Sequence, residues 1–183
     1  MSGTIWLLVE DETDAKTVET LLRKKGFNIP INRLGGGGIS KLAKELPNLI
    51  DTAKKRKGKN DCIVVLHDLD SEEAYQHPEP YQKIKDTCYR ERKEIKHIVA
   101  SDKIESWLLA DAGICKWLGI QERNWDDAKE SKKELERLLR AKGIRNQGAY
   151  RAKVLEHLNG DGDVRSPSMR EALQHLEDAP CAK

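Results

Sequence analysis

No apolar run in this chain approaches the roughly 20 residues that a membrane-spanning helix requires. The opening Met-Ser-Gly-Thr passes directly into an apolar segment, without the charged region, long apolar core and cleavage site of a signal peptide. The expectation is a cytoplasmic protein with no membrane contact. Cysteine is sparse, at Cys62, Cys88, Cys115 and Cys181, and no two of these form a C-x-x-C pair. That spacing resembles neither a zinc site nor a small disulfide framework. Cys62 and Cys115 sit among apolar neighbours and read as small core residues in a reducing compartment. Net charge is nearly absent too, at +2, so charge alone does not announce a nucleic-acid partner. There is no internal repeat and no low-complexity tract.

What the chain does have is 38% hydrophobic and 35% charged residues, the composition of a globular protein with a heavily charged exterior. Its 183 residues suit one domain, or one domain with a small helical appendage, and bury enough surface to fold without disulfides or structural metal. Two basic stretches stand out, residues 54–59 (KKRKGK) and the mixed Lys/Arg/Glu segment 129–142. Each fits a solvated helix face or a phosphate-contacting patch.

Periodicity gives the organisation. Ile5–Val9 (IWLLV) is a continuous apolar run, the mark of a strand buried on both faces. Residues 13–25 place Ala15, Val18, Leu21 and Leu22 at helical spacing, with Gly26 closing the helix. A second strand is expected over 28–34, running into Gly35, Gly36, Gly37 and Gly38. The helix after it carries Ile39, Leu42, Ala43, Leu46, Leu49, Ile50 and Ala53 on one side, with Pro47 expected to kink or split it. Residues 61–67 and 95–100 read as further strands. His-Pro-Glu-Pro at 77–80 reads as a loop, and residues 104–112 as an apolar helix. Helices follow over 130–141, 149–158 and 167–176, the last with Ser166 as N-cap and Pro167 at N1. Trp6, Trp107 and Trp117 are expected in the core, Trp125 at the surface, and Gly-Asp-Gly-Asp at 160–163 in a loop. This alternation specifies an α/β fold with a mostly parallel central sheet of about four strands flanked by helices. Residues 1–112 are expected to form that layer and 113–183 a helical extension packed on it, the two making one compact unit.

In open parallel sheets, ligands bind beyond the carboxyl ends of the strands. Here the first strand ends in Glu10, the second in the glycine run and the third in His67-Asp68-Leu69-Asp70. If the chain stays extended, Asp68 and Asp70 leave one face while Leu69 turns away to pack. Two carboxylates held that close repel, so one takes a proton or a cation sits between them. Oxygen ligands at a sheet edge suit Mg²⁺ or Mn²⁺. The plainer alternative is that Asp70 caps the next helix. Asp14 lies one helical turn beyond Glu10 and can face the same point. Asp11 and Glu12 fit a helix N-terminus equally well. His67 reads as a support beside the acidic pair. The glycines could let the backbone approach a phosphate, with Gly36, Gly37, Gly38 and Lys41 as the contacts, or could form a plain flexible loop. They are neither a Walker A motif nor G-x-G-x-x-G, and the Gly-Asp-Gly-Asp segment falls far short of an EF-hand.

The order VEDETD (residues 9–14), LGGGGISKL (34–42) and LHDLD (66–70) resembles the pattern of TOPRIM domains, found in topoisomerases, DnaG-type primases, RecR-like repair proteins and OLD-family nucleases. The resemblance covers about the first 110 residues. It implies that Glu10, Asp68 and Asp70 bind metal and handle protons, with Asp14 as the additional acid of OLD-type members. Those members use a further acid after the fourth strand, for which Glu105 is the candidate, and a late lysine that stabilises transition-state charge, for which Lys153 or, second, Lys103 is the candidate. Asp11 stands where the typical motif has glycine. IESWLLAD (104–111) and SPSMREAL (166–173) also resemble small standalone bacterial TOPRIM-like proteins of unknown function.

The resemblance implies a Mg²⁺- or Mn²⁺-dependent nuclease, in which two cations bridge the acids and polarise a scissile phosphate. Glu10 would be the general acid or base, and DNA a better candidate than RNA. A role in defence or DNA repair, and a protein partner or self-association, belong to the same expectation. No zinc module or gate domain of a primase or topoisomerase is present. Two alternatives remain: a response-regulator-like receiver phosphorylated on Asp68 or Asp70, and a non-catalytic TOPRIM binding protein. Against the receiver, the Met-Pro and Lys-Pro that accompany such sites are missing.

Overall fold

Four strands carry the fold: β1 (Ile5–Val9), β2 (Ile31–Gly35), β3 (Cys62–Leu69) and β4 (Ile95–Ser101). The structure is a computed structural model, and it describes residues 3–145, 150–179 and 181. The strands form one sheet in the order β2-β1-β3-β4, with every pairing parallel. Central β1 is buried at all five positions and β3 along most of its length, whereas edge strand β4 intersperses buried and accessible residues and edge strand β2 has no fully buried residue. This is why β1 and β3 read as unbroken apolar runs.

The helices are α1 (Glu12–Lys24), α2 (Ile39–Arg56), α3 (Ser71–Gln76), α4 (Pro78–Arg90), α5 (Ile104–Leu109), α6 (Ala112–Leu118), α7 (Ser131–Ala141), α8 (Tyr150–Leu155) and α9 (Pro167–Glu177). Alternate side chains of the sheet feed two cores. On one face Trp6, Leu8, Ile63, Val65 and Ile95 pack under α2 and α4. On the other, Ile5, Leu7, Val9, Val64, Leu66 and Ile98 join side chains of α1 and of every helix from α5 to α9. The larger core therefore draws on both sides of residue 112. α9 seats Ala172, Leu173 and Leu176 against Leu7, Val64, Ile98 and Trp107.

Several local expectations differ from the structure. Pro47 lies inside one continuous helix, α2. His-Pro-Glu-Pro is no loop: Pro78 takes the first turn of α4, where its missing N–H costs nothing. The apolar stretch 104–112 divides into α5 and α6, because the Asp111 side chain accepts from the N–H groups of Gly113 and Ile114 and starts a new helix. The same carboxylate accepts from the backbone N–H groups of Asn159, Gly160 and Asp161, tying the Gly-Asp-Gly-Asp segment to α6. Trp125 is buried, 5% exposed, with the Arg123 guanidinium 3.8 Å above its ring. Its charged neighbours in sequence cover the ring rather than expose it. All four cysteines are free and buried. No helix among the described residues is long and apolar enough to cross a membrane.

The chain leaves β1 for β2 on one side, then returns to β3 and β4 on the other. The carboxyl ends of β1 and β3 thus border the crevice where the strand order reverses, the place such sheets use for ligands.

Candidate metal centre

Glu10 follows β1 directly, Asp14 lies in the first turn of α1, and Asp68 is the penultimate residue of β3. The register that pairs Val9 with Leu66 brings the two strand ends level. One carboxylate oxygen from each of Glu10, Asp14 and Asp68 then lies within 4.8 Å of the other two. The Glu10 carboxylate is fixed across the sheet by accepting the Asp68 backbone N–H at 2.8 Å. Asp68 accepts from the N–H of Ile104 at 2.9 Å, which anchors the start of α5 to the same point.

Burial raises the pKa of all three groups. For Asp14 it is the largest influence and lifts the value to about 8, with Arg151 pulling down and Glu105, Asp11 and Glu10 pushing up. Burial and then the charges of Asp14, Glu10 and Glu105 hold Asp68 well above the ordinary carboxylate range. Burial also raises Glu10, against the Asp68 hydrogen bond and Lys103. Three acids that resist ionisation together form a donor set that could hold a metal ion.

They line a cleft of about 320 Å³ together with Asp11, Thr13, Gly38, Lys103, Glu105, Lys132, Glu136, Tyr150 and Arg151. Six carboxyl groups there face three cationic side chains, so with every acid ionised the cleft carries a formal excess of three negative charges. A phosphate group would be repelled until a cation offsets that excess.

The remaining expected residues are distributed differently. Asp70 stands outside the triad. β3 stops at Leu69, and Asp70 turns to cap α3, accepting from the N–H groups of Glu72 and Glu73 and pairing with Lys103 at 2.9 Å. Burial opposes its ionisation, but the Glu73 N–H and Lys103 win and lower its pKa. The two-residue alternation fails at that step, and Leu69 is 38% exposed instead of packed. Glu105 is 2% exposed and does reach the cleft, yet its Oε1 is taken by Arg151 Nη2 at 2.7 Å and the Tyr150 hydroxyl at 3.3 Å. Lys153 points to solvent and pairs loosely with Glu156 at 3.7 Å. The lysines that line the cleft are Lys103, the second candidate, and Lys132.

The glycine run folds back on β1. The N–H groups of Gly36 and Gly38 donate to the carbonyls of Val9 and Glu10, each at 2.9 Å, so neither is free for a phosphate. Gly35 to Gly38 all have positive φ, and a Cβ on Gly35 would stand 2.4 Å from the Val9 carbonyl oxygen. Glycine is thus required for the close approach. Lys41 folds over Gly37, with its Cδ 2.7 Å from where a Cβ would be. Gly38 alone of the four lines the cleft.

His67 is buried behind Asp68, with Nδ1 2.8 Å from the Asp68 carbonyl oxygen and Nε2 3.0 Å from Nε2 of His97. A carbonyl only accepts, so His67 Nδ1 carries the proton, its Nε2 accepts, and His97 Nε2 donates. Burial lowers both rings, His97 to about 4, and keeps the pair neutral at pH 7. The basic run 54–59 lies at the opposite end of α2 from the cleft, with Lys54 and Lys57 paired to Glu91 and Glu94.

Sequence reasoning passed over Arg151, Tyr150 and Lys132. For Arg151 a signal existed: with Val154 and Leu155 it shares one face of α8 at spacings of three and four, a charge inside an apolar stripe. Asp102, with φ of 60°, is the one non-glycine residue with positive φ among the described residues. It accepts from the backbone N–H of Ser131 at 3.1 Å and from the Ser131 hydroxyl, holding the turn that aims Lys103 and Glu105. Compared with protein-family models, curated proteins and solved structures, the chain matches none significantly.

Proposed function

We propose that this chain is a TOPRIM-like, divalent-metal-dependent nuclease that hydrolyses phosphodiester bonds, with DNA the better substrate. The observation that carries the reading is the convergence of Glu10, Asp14 and Asp68 at the crevice between β1 and β3. These are the first-strand glutamate, the extra helix acid and the first acid of the Asp-x-Asp in the pattern the sequence resembles.

Glu10, Asp14 and Asp68 would hold Mg²⁺ or Mn²⁺. Such a cation supplies Lewis-acid polarisation of a phosphate oxygen and lowers the pKa of a coordinated water. The chain's own residues account for the rest. Asp14 and Asp68 would be deprotonated with the cation held and would serve as its ligands. Glu10 commits one oxygen to the Asp68 N–H; the other would either hold the cation or, with Asp14 and Asp68 holding it, take a proton from the attacking water. Lys103 and Lys132 on the cleft wall meet the negative charge that develops on the phosphate. Asp70 serves by positioning Lys103, not as a ligand.

The test is cleavage of end-labelled single-stranded DNA, duplex DNA and RNA with Mg²⁺, Mn²⁺ or EDTA. Metal-dependent cleavage is expected, and loss of one carboxylate in Asp68→Asn should reduce it at least about 100-fold. Undiminished cleavage by that variant, purified free of host nucleases, or no cleavage of any substrate by the wild type, would overturn the assignment.

A further inference from the structure

We propose that Arg151 limits this centre to a single divalent cation, because its guanidinium permanently fills the place a second would occupy. The inference rests on the metal-centre reading above and concerns how many ions that centre takes. Two-cation centres hold their ions about 3.5–4 Å apart and share carboxylates between them. Beyond the triad, the buried carboxylate available to a second ion is Glu105. Arg151 Nη2 stands between the two groups such an ion would bridge, 2.7 Å from Glu105 Oε1 and 3.8 Å from Asp14 Oδ1.

The guanidinium is held firmly there. Arg151 is 7% exposed, its Nη1 lies 3.4 Å from Thr17 Oγ1 on α1, and its Nε has no hydrogen-bond partner among the described residues. An arginine does not vacate a site by losing its proton. It is a fixed monocation that offsets Glu105 and part of Asp14, and leaves Glu10, Asp68 and the rest of Asp14 for one dication. Arg151 is therefore a positioning residue that sets the metal count, and Glu105 serves the site by holding Arg151 instead of ligating metal.

The experiment is Mn²⁺ titration of the full chain by calorimetry, with electron paramagnetic resonance at saturation. Wild type should bind one Mn²⁺ per chain and give an uncoupled six-line spectrum. Arg151→Met should bind two and show an exchange-coupled pair, while Arg151→Lys stays at one. Glu105→Gln, a milder change, should keep one ion with affinity within about threefold, where loss of a true ligand costs tenfold or more. Two coupled ions in the wild type overturn the proposal whatever the variants do. So does a count of one in folded Arg151→Met, or a large affinity loss in Glu105→Gln. If the wild type binds no Mn²⁺, the metal-centre reading itself falls, and the proposal with it.

Discussion

Stripped of metal by chelation, Asp14 is a buried carboxyl that faces Glu10, Asp68 and Glu105 with one guanidinium beside it. Its pKa is raised to about 8, chiefly by burial, whereas an unfolded aspartate titrates near 3.9. A raised value means that the folded state binds the extra proton, so the contribution to stability is full below about pH 4 and is lost as pH climbs toward 8. The slope is at most about 1.4 kcal/mol per pH unit. Asp14→Asn has no proton to lose. Its melting temperature relative to metal-free wild type should therefore rise between pH 5 and pH 8, by several degrees for a chain of this size. Calorimetric scans in EDTA at the two pH values measure it, and a difference that stays flat would show that Asp14 ionises freely. The variant should also abolish the shift that Mg²⁺ produces in the wild type at pH 8.

At the scale of the element, the turn from β4 into α5 carries strain to place Lys103 and Glu105. Asp102 sits at φ 60°, which costs most side chains about 1 kcal/mol or more, and its carboxylate caps α7 through Ser131. Asp102→Ala keeps the strain and removes the cap, and should lose about 2–3 kcal/mol. Asp102→Asn tolerates the left-handed conformation and keeps an acceptor oxygen, and should lose less than about 1 kcal/mol. Urea denaturation ranks the two, and equal losses would remove the cap from the argument. The same turn marks where the sequence stops being readable. The acids that end β1 and β3 were legible because strand ends at a switch point are fixed by hydrophobic pattern and register. Asp70 was legible only as a choice of two, ligand or cap, because one residue decides between a continuing strand and a helix cap, and Asp-Ser-Glu-Glu suits the cap. Lys153 was drawn from resemblance alone, while Arg151 two residues earlier lies on the buried face. A helix of six residues gives periodicity little to work with. Asp102 has no signature, since its conformation is imposed by Ser131, 29 residues away.

For the whole molecule, the question is whether the sheet layer stands without the helices after residue 112. The sequence divides the chain there by a change of pattern, from alternating strands and helices to helices alone. The core does not follow that division, since Leu7, Val64, Ile98 and Trp107 are covered by Ala172, Leu173 and Leu176 of α9. Burying Met169, Leu173 and Leu176 alone is worth about 5–9 kcal/mol, comparable to the 5–15 kcal/mol that separates a folded domain from its unfolded chain. The site crosses the division as well, because Arg151 and Tyr150 of α8 hold Glu105. A chain of residues 1–112 should therefore show no cooperative thermal transition by circular dichroism and should bind a hydrophobic dye strongly. It should also bind Mn²⁺ far more weakly than the full chain, since its carboxylates would no longer be held in register. A sharp melt with weak dye binding in that fragment would mean that the sheet and α1–α5 suffice as a folding unit. The later helices would then be a cover placed over a finished site, and the charge they bring would be an addition to the centre instead of part of its construction.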